Sequence, residues 1–325
     1  MISLGIESTA HSFGVGIMKD KNCLANVVDM YRPPEGKGLH PNKVKKHHQN
    51  KKDKVLRKAL EKANLKLKDI DLISYSKGPG MPPSLLVGAN FAKKIKKDIE
   101  RPVMGVNHCI AHIEIGKLMT KAKDPVVLYV SGGNTQVLAH ARGKYRVFGE
   151  TLDLAIGNAI DKVIRKAGLG YPGGPIMEEK AKKGNYIELP YVVKGMDLSF
   201  SGITTEAIKK LKNNKLEDVC YSFQETCYSM LTEVTERAMA HTQKQECLLT
   251  GGVAASKRLQ NMLKTMCKER NGKFFTVPMN YAGDNPAMIA WTGLLDYENG
   301  GKPEQDKIDF IQNWRTDDVE INWIQ

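Results

Sequence analysis

The sequence predicts an α/β protein built from two related lobes, and three observations carry that prediction. A strand-turn-strand unit occurs twice, segments of helical period separate the copies, and a further glycine turn links a short apolar strand to a helix. Residues 2–18 (ISLGIESTAHSFGVGIM) read as an apolar strand, a small polar turn from Glu7 to Ser12, and a second strand. Residues 126–140 (VVLYVSGGNTQVLAH) repeat the pattern around a turn of Ser131, Gly132, Gly133, Asn134 and Thr135. Each turn is expected to expose backbone N–H groups, with the site in the cleft between the lobes. Residues 152–167 place Leu152, Ile156, Ala159, Ile160, Val163, Ile164 and Ala167 on one helical face. Residues 217–240 do the same with Val219, Phe223, Met230, Leu231, Val234 and Ala238. The third glycine turn spans Leu248 to Ser256. Asp284 and Asn285 then precede Pro286 and an apolar run, which is a polar cap followed by proline preset at the first helical position. That helix start is expected to face the cleft, and residues 298–306 to form an exposed loop. The expected lobes are 1–124, with 296–325 packing back on it, and 125–295.

The bulk composition agrees with two lobes. A chain of 325 residues exceeds what one small core organises, and 41% apolar with 26% charged residues is ordinary for a globular protein. No apolar run approaches the roughly 18 residues that span a bilayer, and the N-terminus lacks a signal-peptide pattern, so a cytoplasmic location is expected. The six cysteines form no Cys-x-x-Cys pair. That excludes a zinc ribbon or thioredoxin-type site and predicts reduced, mostly interior thiols. Forty-nine basic against 36 acidic residues give a net charge of +13. Such a balance suits a polyanion partner, and equally a host with a Lys-rich proteome. Lys43, Lys45, Lys46, Lys51, Lys52, Lys54, Arg57 and Lys58 crowd one helical region, and Lys93, Lys94, Lys96 and Lys97 another. They read either as phosphate contacts or as solvated helix faces, and His47 and His48 share that ambiguity.

Two stretches carry candidate chemistry. His108 and His112 are four apart, so on a helix both imidazoles share one face and reach one cation. Cys109 stands where a zinc peptidase of this spacing carries its glutamate base, so the peptidase signature is absent. Asp284 is a candidate oxygen ligand, or simply a helix cap. The glycine turns can cradle phosphate, because backbone N–H groups approach an anion closely where Cβ atoms are missing. Ser-Gly-Gly-Asn alone is also compatible with a tight hairpin. Two duplicated hairpins plus a strand-Gly-Gly-helix unit resemble the actin, sugar-kinase and Hsp70 superfamily. Kinases of that superfamily usually carry an aspartate for magnesium in the first hairpin, where this chain has Glu7. A small-molecule kinase is therefore the second reading, and a nucleotide-switched scaffold the third.

Taken together, GIESTAHSFGVGI, GLHP, KGPG, NHCIAHIEIG, YVSGGNTQV, FGETLDLAIGNAIDK, YPGGP, KGMDLSFSG, TGGVAASKRLQ and GDNPAMIAW resemble the tRNA threonylcarbamoyltransferase family, in its archaeal and eukaryotic branch. The resemblance covers essentially the whole chain, with NHCIAHIEIG and YVSGGNTQ the most specific pair. It implies an actin-like two-lobed fold and one divalent metal held by His108, His112 and Asp284, with the Tyr129 phenol close by or coordinating. Iron(II) is favoured by the family and zinc suits the ligand set. Implied contacts to ATP or to threonylcarbamoyl-adenylate are Tyr129, Val130, Ser131, Gly132, Gly133, Asp161, Gly174 and Glu178, with magnesium a possible companion of the nucleotide. Ser256, implied as a further adenine or ribose contact, stands where the family commonly has asparagine; Gly78-Pro79-Gly80-Met81-Pro82-Pro83-Ser84 carries an extra proline, and Pro286 replaces a small residue. The implied partners are tRNA, a small atypical kinase with ATPase activity, and a small dimerising subunit, as in a KEOPS complex. The implied reaction moves a threonylcarbamoyl group to the exocyclic amine of an adenosine beside the anticodon, assisted by the metal and without a protein nucleophile.

Overall fold

A computed structural model of the chain describes residues 1–33, 39–305 and 307–324. Gly38 of the GLHP motif and Asp306 at the end of the expected 298–306 loop lie outside the described residues, as does Gln325. The chain forms two compact units. The first comprises Met1–Met119, Ala141–Tyr145 and Asp284–Gln325; the second comprises Thr120–His140 and Arg146–Gly283.

The first unit opens with strands β1 (Ile2–Glu7), β2 (Ser12–Lys19) and β3 (Asn22–Met30) and continues through helix α1 (Pro41–Ala63). Strand β4 (Leu72–Gly78), helix α2 (Pro82–Ile99), strand β5 (Val103–Asn107) and helix α3 (His108–Thr120) follow. The sheet order is β3-β2-β1-β4-β5, antiparallel through β1 and parallel from β1 to β5. Leu4, Ile6, Phe13, Val15, Ile73 and Tyr75 supply its core, together with Phe91 and Ile95 of α2.

The second unit begins with β6 (Val126–Val130), β7 (Thr135–Ala141) and β8 (Lys144–Glu150), whose first residues at the β7-β8 turn belong to the first unit. Next come α4 (Ile156–Lys166), α5 (Gly173–Ala181), a small ladder of β9 (Val193–Lys194) and β10 (Asp197–Leu198), α6 (Ser201–Lys210) and α7 (Leu216–Thr242). The unit ends with β11 (Glu246–Thr250), a 3-10 turn at Gly252–Ala255, α8 (Lys257–Glu269), β12 (Lys273–Thr276) and the short α9 (Met279–Ala282). Its sheet order, β12-β11-β6-β7-β8, is that of the first sheet counted from the opposite edge. The two strand-turn-strand units seen in the sequence are thus the central hairpins of two sheets with one topology. Val219, Phe223, Met230, Leu231, Val234 and Ala238 of α7 are all fully buried in this core, as their helical spacing requires.

Helix α10 (Pro286–Glu298) returns the chain to the first unit and packs across β1 and β2. Glycines make that approach possible: a Cβ at Gly16 would stand 2.5 Å from the Ala287 nitrogen, and one at Gly5 would overlap Pro286 and Ala290 backbone. Covered on both faces, β1 is an almost continuous buried run instead of an alternating one.

Three sequence expectations need correction. The second unit ends at Gly283, so α10 belongs with the N-terminal sheet, and the boundary expected at 295/296 falls earlier; the 124/125 boundary likewise falls at 119/120. The helix expected over 152–167 starts only at Ile156, and Leu152 is 56% exposed. The Asp153 carboxylate is the reason: it accepts from the N–H groups of Leu154, Phe200 and Ser201 and from the Ser199 hydroxyl, which fixes a loop there. The segment expected as an exposed loop is partly tied down, because Glu304 N–H donates to the Val103 carbonyl (2.7 Å) and Lys77 pairs with Glu304 (2.5 Å). None of the six cysteines is in a disulfide and five are buried, as expected.

Candidate metal centre and glycine-lined surface

In the first unit the sequence sets α3 to begin at a histidine. The Asn107 side chain accepts from the N–H groups of Cys109 (2.9 Å) and Ile110 (3.2 Å), which caps the helix and places His108 in its first turn. His112 then lies one turn on, with the two rings 4.8 Å apart between centroids and both buried. Asp284 reaches the same point from the start of α10. There the cap is Asn285, whose side chain accepts from Met288 N–H (3.1 Å), so the neighbouring carboxylate is not needed as one. Asp284 Oδ1 stands 3.5 Å from His108 Nε2 and 3.4 Å from His112 Nε2, and the three donor groups lie within 4.8 Å of one another. Donors bound tetrahedrally at about 2.0–2.2 Å from one ion stand roughly 3.4 Å apart, so both aspartate-histidine edges fit a shared cation.

Glu7, at the end of β1, lies behind His108 and is fully buried. Its Oε2 is 3.0 Å from His108 Nδ1, while Oε1 accepts from Thr9 N–H (2.7 Å) and the Thr9 hydroxyl (2.5 Å). Burial opposes charge on both histidines. At His108 the Glu7 charge and hydrogen bonds to Asp284 and Glu7 outweigh it, holding the ring well above the usual histidine range. At His112 burial prevails and the value falls. Asp284 is likewise opposed by burial, yet its hydrogen bonds to both histidines keep it well below the carboxylate range.

The second unit holds the other residues named from the sequence. Tyr129 is buried near the end of β6, and Asn134 Nδ2 lies 3.5 Å from its hydroxyl. Ser131 turns its hydroxyl inward to accept from Gly133 N–H (3.3 Å) and Asn134 N–H (3.0 Å). The Ser-Gly-Gly-Asn turn is therefore a small nest already gathered around an oxygen. Asp161 of α4 accepts from Gly173 N–H (2.7 Å) at the start of α5. Glu178 of α5 accepts from Lys257 N–H (3.1 Å) at the start of α8, where the Ser256 side chain also accepts from Leu259 N–H (3.4 Å). Each of these three side chains thus secures a helix N-terminus, where a negative or polar oxygen is favoured.

Close glycine contacts bring the turns of this unit together. Gly251 sits in the left-handed region against Val130, and a Cβ at Gly157 would come 2.6 Å from the Ser131 carbonyl oxygen. Gly133, Gly174 and Gly252 differ: none has a left-handed φ, and an added Cβ would meet no atom within 4 Å. Neither conformation nor packing requires glycine at those three places. They face open space in the turn after β6, in the first turn of α5 and in the 3-10 turn after β11, where the backbone is open to approach.

Glu7, Thr9 and Asn107 escaped the sequence reading as parts of the candidate metal centre. A carboxylate closing an otherwise apolar strand was the one available signal, since an acid is rarely fully buried unless paired. His47 and His48 prove structural: His47 Nε2 is 2.7 Å from Asp29 Oδ1, and His48 Nε2 is 2.9 Å from the Ala10 carbonyl.

Two sheets of one topology, each with its parallel and antiparallel half, define an actin-like α/β protein. HypF from T. kodakarensis has the same fold, with TM-score 0.62 at 14% identity over 90% of this chain and 47% of that one. So has ROK hexokinase from Thermus thermophilus, with TM-score 0.53 at 14% identity over 92% of this chain and all of that one. Within that class the chain belongs to the TsaD family, tRNA N6-adenosine threonylcarbamoyltransferase, whose family model matches residues 22–291. The Thermococcus kodakarensis protein of that name is 54% identical over 99% of this chain and the whole of its own. A Methanocaldococcus jannaschii relative, named a probable bifunctional tRNA threonylcarbamoyladenosine biosynthesis protein, is 52% identical over all of this chain and 61% of its own length.

Proposed function

We propose that the protein transfers the threonylcarbamoyl group of threonylcarbamoyl-adenylate to the exocyclic amine of adenosine 37, beside the anticodon, in tRNAs reading codons that begin with adenine. The observation that carries this reading is the His108, His112 and Asp284 cluster, in which Asn285 performs the capping and leaves Asp284 to the histidines. The donor set of two imidazoles and a carboxylate suits one iron(II) or zinc ion per chain. Such a cation would draw electron density from the donor's carbonyl and so favour attack by an amine. Tyr129 joins this set on the family resemblance.

The chain's own residues supply position. The turn of Ser131, Gly132 and Gly133 steadies the phosphate of the leaving group, to which the N–H groups of Gly133 and Asn134 turn from the Ser131 hydroxyl that now accepts from them. Gly133, Gly174 and Gly252 leave room for ATP or the adenylate, with Asp161 and Glu178 beside the ribose. In the transfer, the amine nitrogen bonds to the carbonyl carbon and the bond to the phosphate oxygen breaks. AMP departs with that electron pair, and the amine proton passes to solvent. The target lies in a single-stranded loop, so its base turns out without breaking duplex pairs.

The reading includes a KEOPS-type complex in the cytoplasm, with a small atypical kinase or ATPase and a small dimerising subunit. The longer relative named bifunctional supports a second activity working alongside this one. The test is a reconstituted modification assay with labelled threonine and bicarbonate, the adenylate-forming enzyme and the partner subunits. Label enters tRNA with the wild type and is lost with His112→Ala. Full modification by His112→Ala, or by protein stripped of metal, would overturn the reading. ATP consumption with a small acceptor, unaffected by His108→Ala, would favour a kinase instead. A nucleotide-switched scaffold would show neither turnover.

A further inference from the structure

We infer that Glu7, clamped by Thr9, is the positioning residue that aims His108 Nε2 at the cation. The inference rests on the metal reading of His108, His112 and Asp284 and extends it to residues outside the ligand set. Both oxygens of Glu7 are committed: Oε1 takes two bonds from Thr9, and Oε2 faces His108 Nδ1 at 3.0 Å. A carboxylate cannot donate, so the ring presents Nδ1–H to Glu7 and its other nitrogen, Nε2, toward Asp284. The bond thereby fixes both the ring's rotation and the nitrogen that serves as ligand. A carboxylate behind a metal-binding imidazole also strengthens it as a donor.

Side-chain length matters here. Glu7 ends β1 on one segment of the fold, and His108 opens α3 on another. An aspartate at position 7 would be one methylene shorter and could not keep the Thr9 and His108 bonds together without moving the strand end. This accounts for glutamate at the place where kinases of the fold carry magnesium-binding aspartate: its oxygens are spent on Thr9 and His108. Charge supports the same role. Glu7 and Asp284 flank His108 from opposite ring nitrogens, so the negative charge of the pair matches one divalent ion.

The test is zinc affinity of the full chain, stripped of metal and titrated in competition with a chromophoric chelator. It is run at alkaline pH, where proton competition for the rings is weakest. Glu7→Gln and Glu7→Ala are expected to weaken zinc binding about 10- to 100-fold, the usual cost of losing such a partner. Glu7→Asp is expected to fall with them, and the visible spectrum of the cobalt(II)-substituted protein to change because the ligand geometry changes. Thr9→Val keeps the buried carboxylate but removes the hydroxyl that donates to Glu7 Oε1 and stands 3.2 Å from His108 Nδ1, and is expected to lose affinity several-fold while folding normally. Thermal unfolding of the metal-free proteins identifies any variant whose fold has failed, and Thr9→Val then carries the test. If the wild type binds one zinc, His112→Ala does not, and the folded Glu7 and Thr9 variants bind within about twofold of wild type with unchanged cobalt spectra, the inference is wrong. If the wild type binds no zinc, or His112→Ala binds as tightly, the metal reading itself has failed.

Discussion

Gly174→Ala should make the protein more stable and a poorer nucleotide binder at once. Gly174 is the second residue of α5, and an added Cβ there meets no atom within 4 Å. Replacing glycine by alanine inside a helix gains up to about 1 kcal/mol, and at this end position roughly half of that is reasonable. If adenylate or ATP lies against this backbone, the methyl enters space the ligand occupies. Crowding of that kind costs about 1–3 kcal/mol, or roughly 5- to 150-fold in affinity. A ligand held at a hundred times its Kd stabilises wild type by about 2.7 kcal/mol, and tenfold weaker binding removes about 1.3 of this. The variant would therefore melt slightly above wild type without ligand and below it at saturating ATP analogue. Scanning calorimetry at both conditions, with titration calorimetry for the Kd, reads the crossing. Unchanged affinity in a stabilised variant would remove nucleotide from this surface; lowered bare stability would refute the account of why Gly174 is glycine.

Two further outcomes separate structure from chemistry elsewhere. Asn285→Ala should cost about 1 kcal/mol in urea unfolding through loss of the α10 cap while retaining most of the bound metal, whereas Asp284→Ala should lose the metal and, by removing the carboxylate bonded to both buried histidines, also lower metal-free stability; equal metal loss by both would show that Asp284 depends on the cap. His48, buried and donating to Ala10, is pushed down to about 4 because burial disfavours its charge. Its folded value lies below the ordinary 6.5, so its contribution is complete above pH 6.5 and is lost as pH falls toward 4, to a limit of about 3 kcal/mol. Urea midpoints measured between pH 7 and 4 should fall less steeply in His48→Gln than in wild type, and parallel slopes would contradict this origin.

The sequence revealed features set by local geometry. The spacing of His108 and His112 needs only a helix to become a ligand pair, and the Asp-Asn-Pro run needs only a helix start. The repeated hairpin was visible because strands and glycine turns are local. It did not reveal which of Asp284 and Asn285 caps, since either side chain can; only the bond to Met288 decides. Asp161 and Glu178 read as ribose contacts by resemblance, yet each also holds the start of another helix, at Gly173 of the next helix or at Lys257, 79 residues on. The mate of Glu7 was hidden for the same reason, because 101 residues separate it from His108. The ownership of α10 depended on Gly5 and Gly16, which in a strand look like weak points until the helix they admit is known.

The second unit is spliced into the first between Met119 and Asp284, apart from the β7-β8 turn. A ribosome making roughly 5–20 residues per second therefore needs on the order of ten to thirty seconds between releasing α3 and delivering Asp284. During that interval a nascent chain owns two histidines but no carboxylate to complete their grip, and the glycine-floored face of β1 and β2 waits for α10. On the metal reading proposed above, cation loading would be a late event in biogenesis, coupled to arrival of the same helix that seals the N-terminal sheet.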